Sequence, residues 1–320
     1  MKCLYCQKDI RDSVSLEEKD SCWHKKCVKA FFGTDKMPIL DVTKEGLNQL
    51  ARKTVNKGLT VPGVQKKLSL HLSTETESRL TLVDYPTGYI LKPQTDEFEK
   101  LPEFEDLAMR LARIAGVKTV PHGLVKIHDE YAYITRRIDR LIDGDSVELY
   151  AMEDFCQLSG RLTLDKYKAS YEICGKIINA YSVNRGFDLS ELYMRLVFSY
   201  IIGNSDMHLK NFSLIETAPA NREFCLSQAY DLLPVNVIIP EDTDETALTL
   251  NGKRKRLKRR DFLEFAAHCG IPEKSAEKMI GRICGLKDAF FLQCEDSYLT
   301  EEMKESLKAL ISARITAISS

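Results

Sequence analysis

The sequence predicts an α+β chain, strand-rich toward its start and mainly helical toward its end, with a small metal knuckle ahead of both. Three observations predict this. Two Cys/His pairs open the chain, short alternating apolar runs occupy about 58–140, and helical apolar periodicity follows to the C-terminus. The expected division is 1–34 for the knuckle, 35–140 for the strand-rich part and 141–320 for the helical part. A length of 320 residues accommodates about two domains of ~100–200 residues.

The 46 basic and 47 acidic residues nearly cancel, which excludes whole-chain steering toward nucleic acid or a membrane surface. "MKCLYCQKDIRDS" carries charges where a secretory signal needs an apolar core. No apolar run reaches the ~20 residues of a spanning helix. Ten cysteines scattered along the chain fit a reducing compartment, so a cytoplasmic location without membrane contact is expected.

In the knuckle, Cys3-x-x-Cys6 and His24-x-x-Cys27 each let one tight turn aim two ligands at a single ion. Cys3, Cys6, His24 and Cys27 would form a closed tetrahedral Zn2+ site, structural because protein fills every position. Cys22 is an alternative ligand, and reduced thiols beside an incidental histidine are the plain alternative. Trp23 is expected to pack the knuckle rather than stack on a base. "FFGTDKMPIL" (31–40) has the glycine and proline of a linker.

"GLTVPGVQKKLSLHL" (58–72) sets Gly58, Pro62 and Gly63 before alternating Leu68, Leu70 and Leu72. It reads as a hairpin turn, or as backbone amides offered to an anion. "GYILKPQ" (88–94) is a strand carrying Lys92, and "LPEFEDLAMRLARIAGV" (101–117) is a helix ended by Gly116, with Glu103 and Glu105 in its first turn. A strand lysine followed by an acidic helix suggests a phosphate clamp and its orienting carboxylate, or, taken alone, a solvated lysine at a strand end. "YAYITRRIDR" (131–140) alternates like a half-buried strand. "MEDFCQLSGR", "YKASYEICGKIINAYS" and "LSELYMRLVFSYIIGN" then read as helices.

Gly203 stops the last of these, leaving Asp206 in the loop beyond a buried helix. Asn211 follows at D-x-x-x-x-N spacing. "FSLI" and "FCLSQAYD" read as a hairpin delivering Asp231. One carboxylate to accept a hydroxyl proton, then an amide and a second carboxylate for Mg2+, is the set that phosphoryl transfer needs. The run "KRKRLKRR" (253–260) holds seven basic residues in eight. It reads as a solvated loop against acidic "PEDTDE" (240–245), or as a nucleic-acid groove.

"TVPGVQKKLSL", "YILKP", "EDFCQ", "GNSDMHLKNFSL", "AYDLL" and "LTLNGKRKRLKRRDF" together resemble the HipA-like serine/threonine kinases of bacterial toxin–antitoxin systems, from about residue 58 to beyond 265. The resemblance implies a two-lobed protein-kinase-like fold, with a strand-rich N-lobe and a mainly helical C-lobe. It implies Asp206 as catalytic base and Asn211 and Asp231 as Mg2+ ligands. Lys92 and Glu105 would serve ATP binding with Gly63, Val64, Gln65, Lys67 and His208. Implied partners are a protein substrate such as an aminoacyl-tRNA synthetase, and a small helix-turn-helix antitoxin through which DNA would be met. Self-phosphorylation on the glycine-rich loop would fall on Thr60 or Ser69, because Pro62 stands where the family often has a serine. Two other readings stay open: a zinc-finger and basic-loop module of a DNA-bound repressor with an inactive kinase fold, and a lipid or small-molecule kinase.

Overall fold

A computed structural model describes residues 1–11, 13–40, 67–73, 78–82, 88–143 and 146–319. The chain separates into two compact units, Met1–Asp106 with Val120–Arg137, and Leu107–Thr119 with Ile138–Ser320.

The first unit is built on a six-stranded sheet of order β1-β3-β2-β4-β6-β5. Its strands are β1 (Ile39–Leu40), β2 (Leu68–Ser73), β3 (Arg79–Leu82), β4 (Tyr89–Lys92), β5 (His122–Ile127) and β6 (Glu130–Arg136). All pairings are antiparallel except β1 with β3. Leu68, Leu70, Leu91 and Ile134 are buried on one face of the sheet, and Leu124, in register with Tyr133, is buried on the other.

The knuckle belongs to this same unit. Trp23 is wholly buried, stacks on Tyr5 at 5.1 Å and tilts against Phe31 and Phe32. Its Nε1 donates to the Leu124 carbonyl at 2.9 Å, and the Leu124 amide donates to the Leu4 carbonyl at 3.2 Å. The side of β5 facing away from β6 is therefore taken up by the knuckle. Gly123 allows this approach, since a Cβ there would stand 3.1 Å from the indole. A correction follows for 31–40. Phe31 and Phe32 end the helix Lys25–Phe32 and fill the knuckle core, and Ile39–Leu40 forms the edge strand β1.

The second unit is mainly helical and organised around Arg185–Ile202, buried along most of its length. Tyr171–Tyr181, Glu273–Cys284 and Glu301–Ser319 pack on it. The stop at Gly203 is enforced: φ is +74°, and an added Cβ would run into Leu310. Beside the helices lie a hairpin of β7 (Arg140–Asp143) and β8 (Ser146–Leu149) and a three-stranded sheet of β9 (Met152–Asp154), β10 (Ser213–Glu216) and β11 (Phe224–Leu226). The expected hairpin of β10 with β11 forms. "MEDFCQLSGR" is only partly helical. Its first three residues are β9, and Asp154 then caps the single helical turn Phe155–Leu158 in a capping box with Gln157. Among the described residues no helix is long and apolar enough to cross a membrane.

Candidate active site and candidate metal centre

Cys3, Cys6, His24 and Cys27 come together, one ligand atom from each lying within 4.8 Å of every other. His24 Nδ1 is 3.4 Å from Cys6 Sγ and 3.9 Å from Cys27 Sγ. Ligands about 2.0–2.3 Å from a tetrahedral zinc sit roughly 3.5–3.8 Å apart, so the donor set and its spacing fit that ion. His24 Nε2 meets the Asp9 carbonyl at 3.2 Å, the outer contact that orients a ligating imidazole. Burial pushes the Cys6 thiol up, but hydrogen bonds from the Lys8 backbone, Cys27, His24 and Cys3 outweigh it and bring it down to about 7. Burial, and then its neighbouring thiols, push Cys27 up. Cys22 lies outside the group; its Sγ turns to Met1 Sδ at 3.3 Å. All ten cysteines are free.

In the first unit, Lys92 at the end of β4 meets Glu105 of the helix Leu101–Ala115 at 2.5 Å, both side chains at most 4% exposed. The lysine also lies 5.3 Å from the Tyr133 ring centre, on the β6 residue paired with it in register. Glu103 is taken by Lys100 at 3.0 Å. The helix therefore offers only one of its two glutamates to the strand lysine. Lys67 precedes β2 and is exposed, and Ser69 lies in β2 opposite Ile90. Thr60, Gly63, Val64 and Gln65 lie outside the described residues.

In the second unit, Asp206, His208, Asn211 and Asp231 share one corner. Asp206 follows the capped end of Arg185–Ile202, and the Asp206 amide donates to Asn204 Oδ1 at 3.3 Å. Its Oδ1 accepts the Tyr167 hydroxyl at 2.5 Å. His208 is buried, edge-on to Tyr167 at 5.0 Å between ring centres. Burial lowers its pKa, with the attraction of Asp206 acting the other way, so the ring is neutral at pH 7.

Asn211 closes the single turn Leu209–Asn211 and is 2% exposed. Its Nδ2 donates to the Asp231 carbonyl at 3.4 Å, which leaves Oδ1 buried without a hydrogen-bond donor among the described residues. An orphaned buried acceptor next to a carboxylate-bearing residue is what a hard cation would satisfy. Asp231 itself sits at φ +61°, a left-handed conformation that aspartate tolerates better than most residues. The surrounding chain holds it there. Tyr230 donates to the Lys210 carbonyl at 3.1 Å, and Arg195 Nη2 donates to the Ser227 carbonyl at 2.5 Å. Lys210 is fixed by Asp154 at 2.5 Å.

The basic run is largely spoken for. Lys255 pairs with Asp244 at 3.3 Å, Lys253 with Asp261 at 2.6 Å, and the Arg254 carbonyl accepts the Glu245 amide at 2.8 Å. This is the acidic-segment reading of the run. Trp23 is buried, while Lys253, Lys255, Arg256, Lys258 and Arg260 stay exposed at the surface. Tyr167, Arg195 and Tyr230 carry no sequence signal, since they act through contacts 39, 32 and 20 residues away, respectively.

A model of the HipA-like C-terminal domain family matches residues 59–289. Among curated proteins, the chain is similar to "Putative kinase Y4dM" of Sinorhizobium fredii, 32% identical over 232 residues covering 67% of this chain and 54% of that protein. A "Putative kinase" of Haemophilus influenzae is 31% identical over 209 residues, 61% of this chain and 57% of that protein. The chain thus spans about half the length of the curated relatives it matches. Among solved structures, it is similar to a chain of the Shewanella oneidensis complex of HipA, HipB and operator DNA, with TM-score 0.69 and 19% identity over 85% of this chain and 70% of that one. The proinflammatory kinase CtkA of Helicobacter pylori gives TM-score 0.53 and 16% identity over 75% of this chain and 90% of that one. At those identities the likeness shows the fold alone.

Proposed function

The chain belongs to the HipA-like C-terminal domain family, and from that premise we propose that it is an ATP- and magnesium-dependent serine/threonine protein kinase, the toxin of a toxin–antitoxin pair. The observation that carries the reading is the corner of the second unit. A half-buried carboxylate is held at a loop beyond a rigid helix, with the orphaned Asn211 Oδ1 and the left-handed Asp231 adjoining each other.

Asp206 accepts the proton of the attacking serine or threonine hydroxyl, and the loop's anchoring to Arg185–Ile202 keeps that carboxylate in place. Lys92 offers its ammonium to the ATP phosphates, and Glu105 fixes where that ammonium points. Neutral His208 fills the space beside Tyr167 without adding a competing charge. Oxygens of Asn211 and Asp231 would hold magnesium, which would supply positive charge to offset that of the phosphates. Gly63, Val64, Gln65 and Lys67 are the further ATP-binding candidates, and Thr60 and Ser69 are the self-phosphorylation candidates. Cys3, Cys6, His24 and Cys27 hold a structural zinc. The relatives' names and the HipA–HipB–DNA assembly support the kinase and antitoxin assignments for this chain. The expected macromolecular substrate is a protein of translation, such as an aminoacyl-tRNA synthetase.

The test is transfer of label from γ-labelled ATP by wild type and Asp206→Asn. Loss of a general base costs about 10²–10⁴-fold in rate, and nucleotide binding should survive it. Wild-type transfer retained in the variant would remove Asp206 as the base. Offering protein, lipid and small-molecule acceptors side by side decides between this reading and a small-molecule kinase.

A further inference from the structure

Among the described residues the Asp206 carboxylate has one hydrogen-bond partner, and it lies outside the catalytic loop. The Tyr167 hydroxyl donates to Oδ1 at 2.5 Å across 39 residues of sequence. Tyr167 is itself held from several sides. Its carbonyl accepts Arg254 Nη2 at 2.6 Å, its ring lies 4.9 Å from the Lys166 ammonium, and His208 meets that ring edge-on. The preceding residue is tied to the catalytic loop as well, through the Leu209 amide donating to the Lys166 carbonyl at 3.3 Å. Burial first, and then the hydrogen bond to Asp206, push the Tyr167 hydroxyl up, so it keeps its proton and acts only as a donor toward the carboxylate.

A carboxylate has two equivalent oxygens and rotates freely unless something distinguishes them. A fixed donor on Oδ1 distinguishes them and leaves Oδ2 for the incoming hydroxyl. We propose that Tyr167 is the positioning residue of the proton acceptor: it locks the Asp206 carboxylate in one orientation and assigns Oδ2 to the substrate hydroxyl. Arg254, from the basic run, holds Tyr167 in turn through its main chain, which gives that run a role in the site's geometry. The inference rests on the kinase reading above and deepens it.

Tyr167→Phe removes one oxygen and keeps the ring, on a side chain that is 37% exposed. The full chain is given γ-labelled ATP with magnesium, and label leaving ATP for protein or water is followed from pH 5 to 9. The expected result is a kcat lower by about ten-fold, a fraction of what a whole general base contributes. KM for ATP and the unfolding temperature should stay unchanged. A variant with the wild-type kcat would overturn the proposal. So would a faster variant, which would make the hydroxyl a block, or label on Tyr167 of the wild type, which would make it an acceptor. A wild type that releases no label at all defeats the kinase reading instead, so the two failures are distinguishable.

Discussion

Lys92 and Asn211 are buried to nearly the same degree, 3% and 2% exposed, yet their polar ends are treated in opposite ways. Lys92 is closed against Glu105 at 2.5 Å, charge on charge, inside the first unit. Asn211, in the second, spends its amide nitrogen on the Asp231 carbonyl and keeps a buried oxygen with no donor among the described residues. The ion pair joins two charges of the chain itself, whereas the amide oxygen has a place for a group brought from outside. A polar group closed on a neighbour orients; one left open in the interior binds.

The largest effect should come from the most closed group of all, the four-ligand knuckle. Purified protein should carry about one zinc per chain, and Cys27→Ser should lose it. Structural zinc supplies on the order of 10–16 kcal/mol of apparent folding energy. The knuckle core should then open, and emission of Trp23, the sole tryptophan, should move to longer wavelength. Zinc-free protein whose indole stays buried would break the comparison at its closed end.

Next in size is the ion pair. Glu105→Gln leaves a buried ammonium uncompensated, which costs about 3–5 kcal/mol and shows in chemical unfolding. Lys92→Met combined with Glu105→Leu should recover most of that stability while phosphoryl transfer stays lost. If the double replacement is as unstable as the single one, the pair holds the fold together rather than orienting an ammonium.

The smallest effect sharpens the open end. Asn211→Leu removes an unsatisfied acceptor, whose burial costs about 1–3 kcal/mol. The ligand-free variant should be as stable as wild type or slightly more so, and it should bind magnesium–ATP more weakly by calorimetry. A destabilised variant with unchanged nucleotide affinity would mean that the amide is an ordinary turn residue.

How much of this the sequence makes legible depends on the range of the interaction. Cys3, Cys6, His24 and Cys27 are readable because each pair is local and only one fold-back remains to be supplied. The Gly203 stop and the β10–β11 hairpin are readable for the same reason. The choice between Glu103 and Glu105 is not. Residues two apart on a helix point to different sides, and which side meets the strand is a tertiary matter. Nor is β9, whose partner β10 lies some sixty residues on, so its three residues look helical beside a capped turn. Tyr167 is the extreme case: a single aromatic in "LDKYKASY", without periodicity, given meaning only by a carboxylate far along the chain.

Leu124 carries one last consequence. β5 ends the six-stranded sheet, and such a strand ordinarily presents unpaired amides and carbonyls to any passing chain. Here both main-chain groups of Leu124 are already claimed, by Leu4 and by the indole of Trp23. The knuckle thus doubles as a guard against edge-to-edge polymerisation. If the knuckle holds a metal, as its four ligands predict, stripping that metal would expose a seed for aggregates.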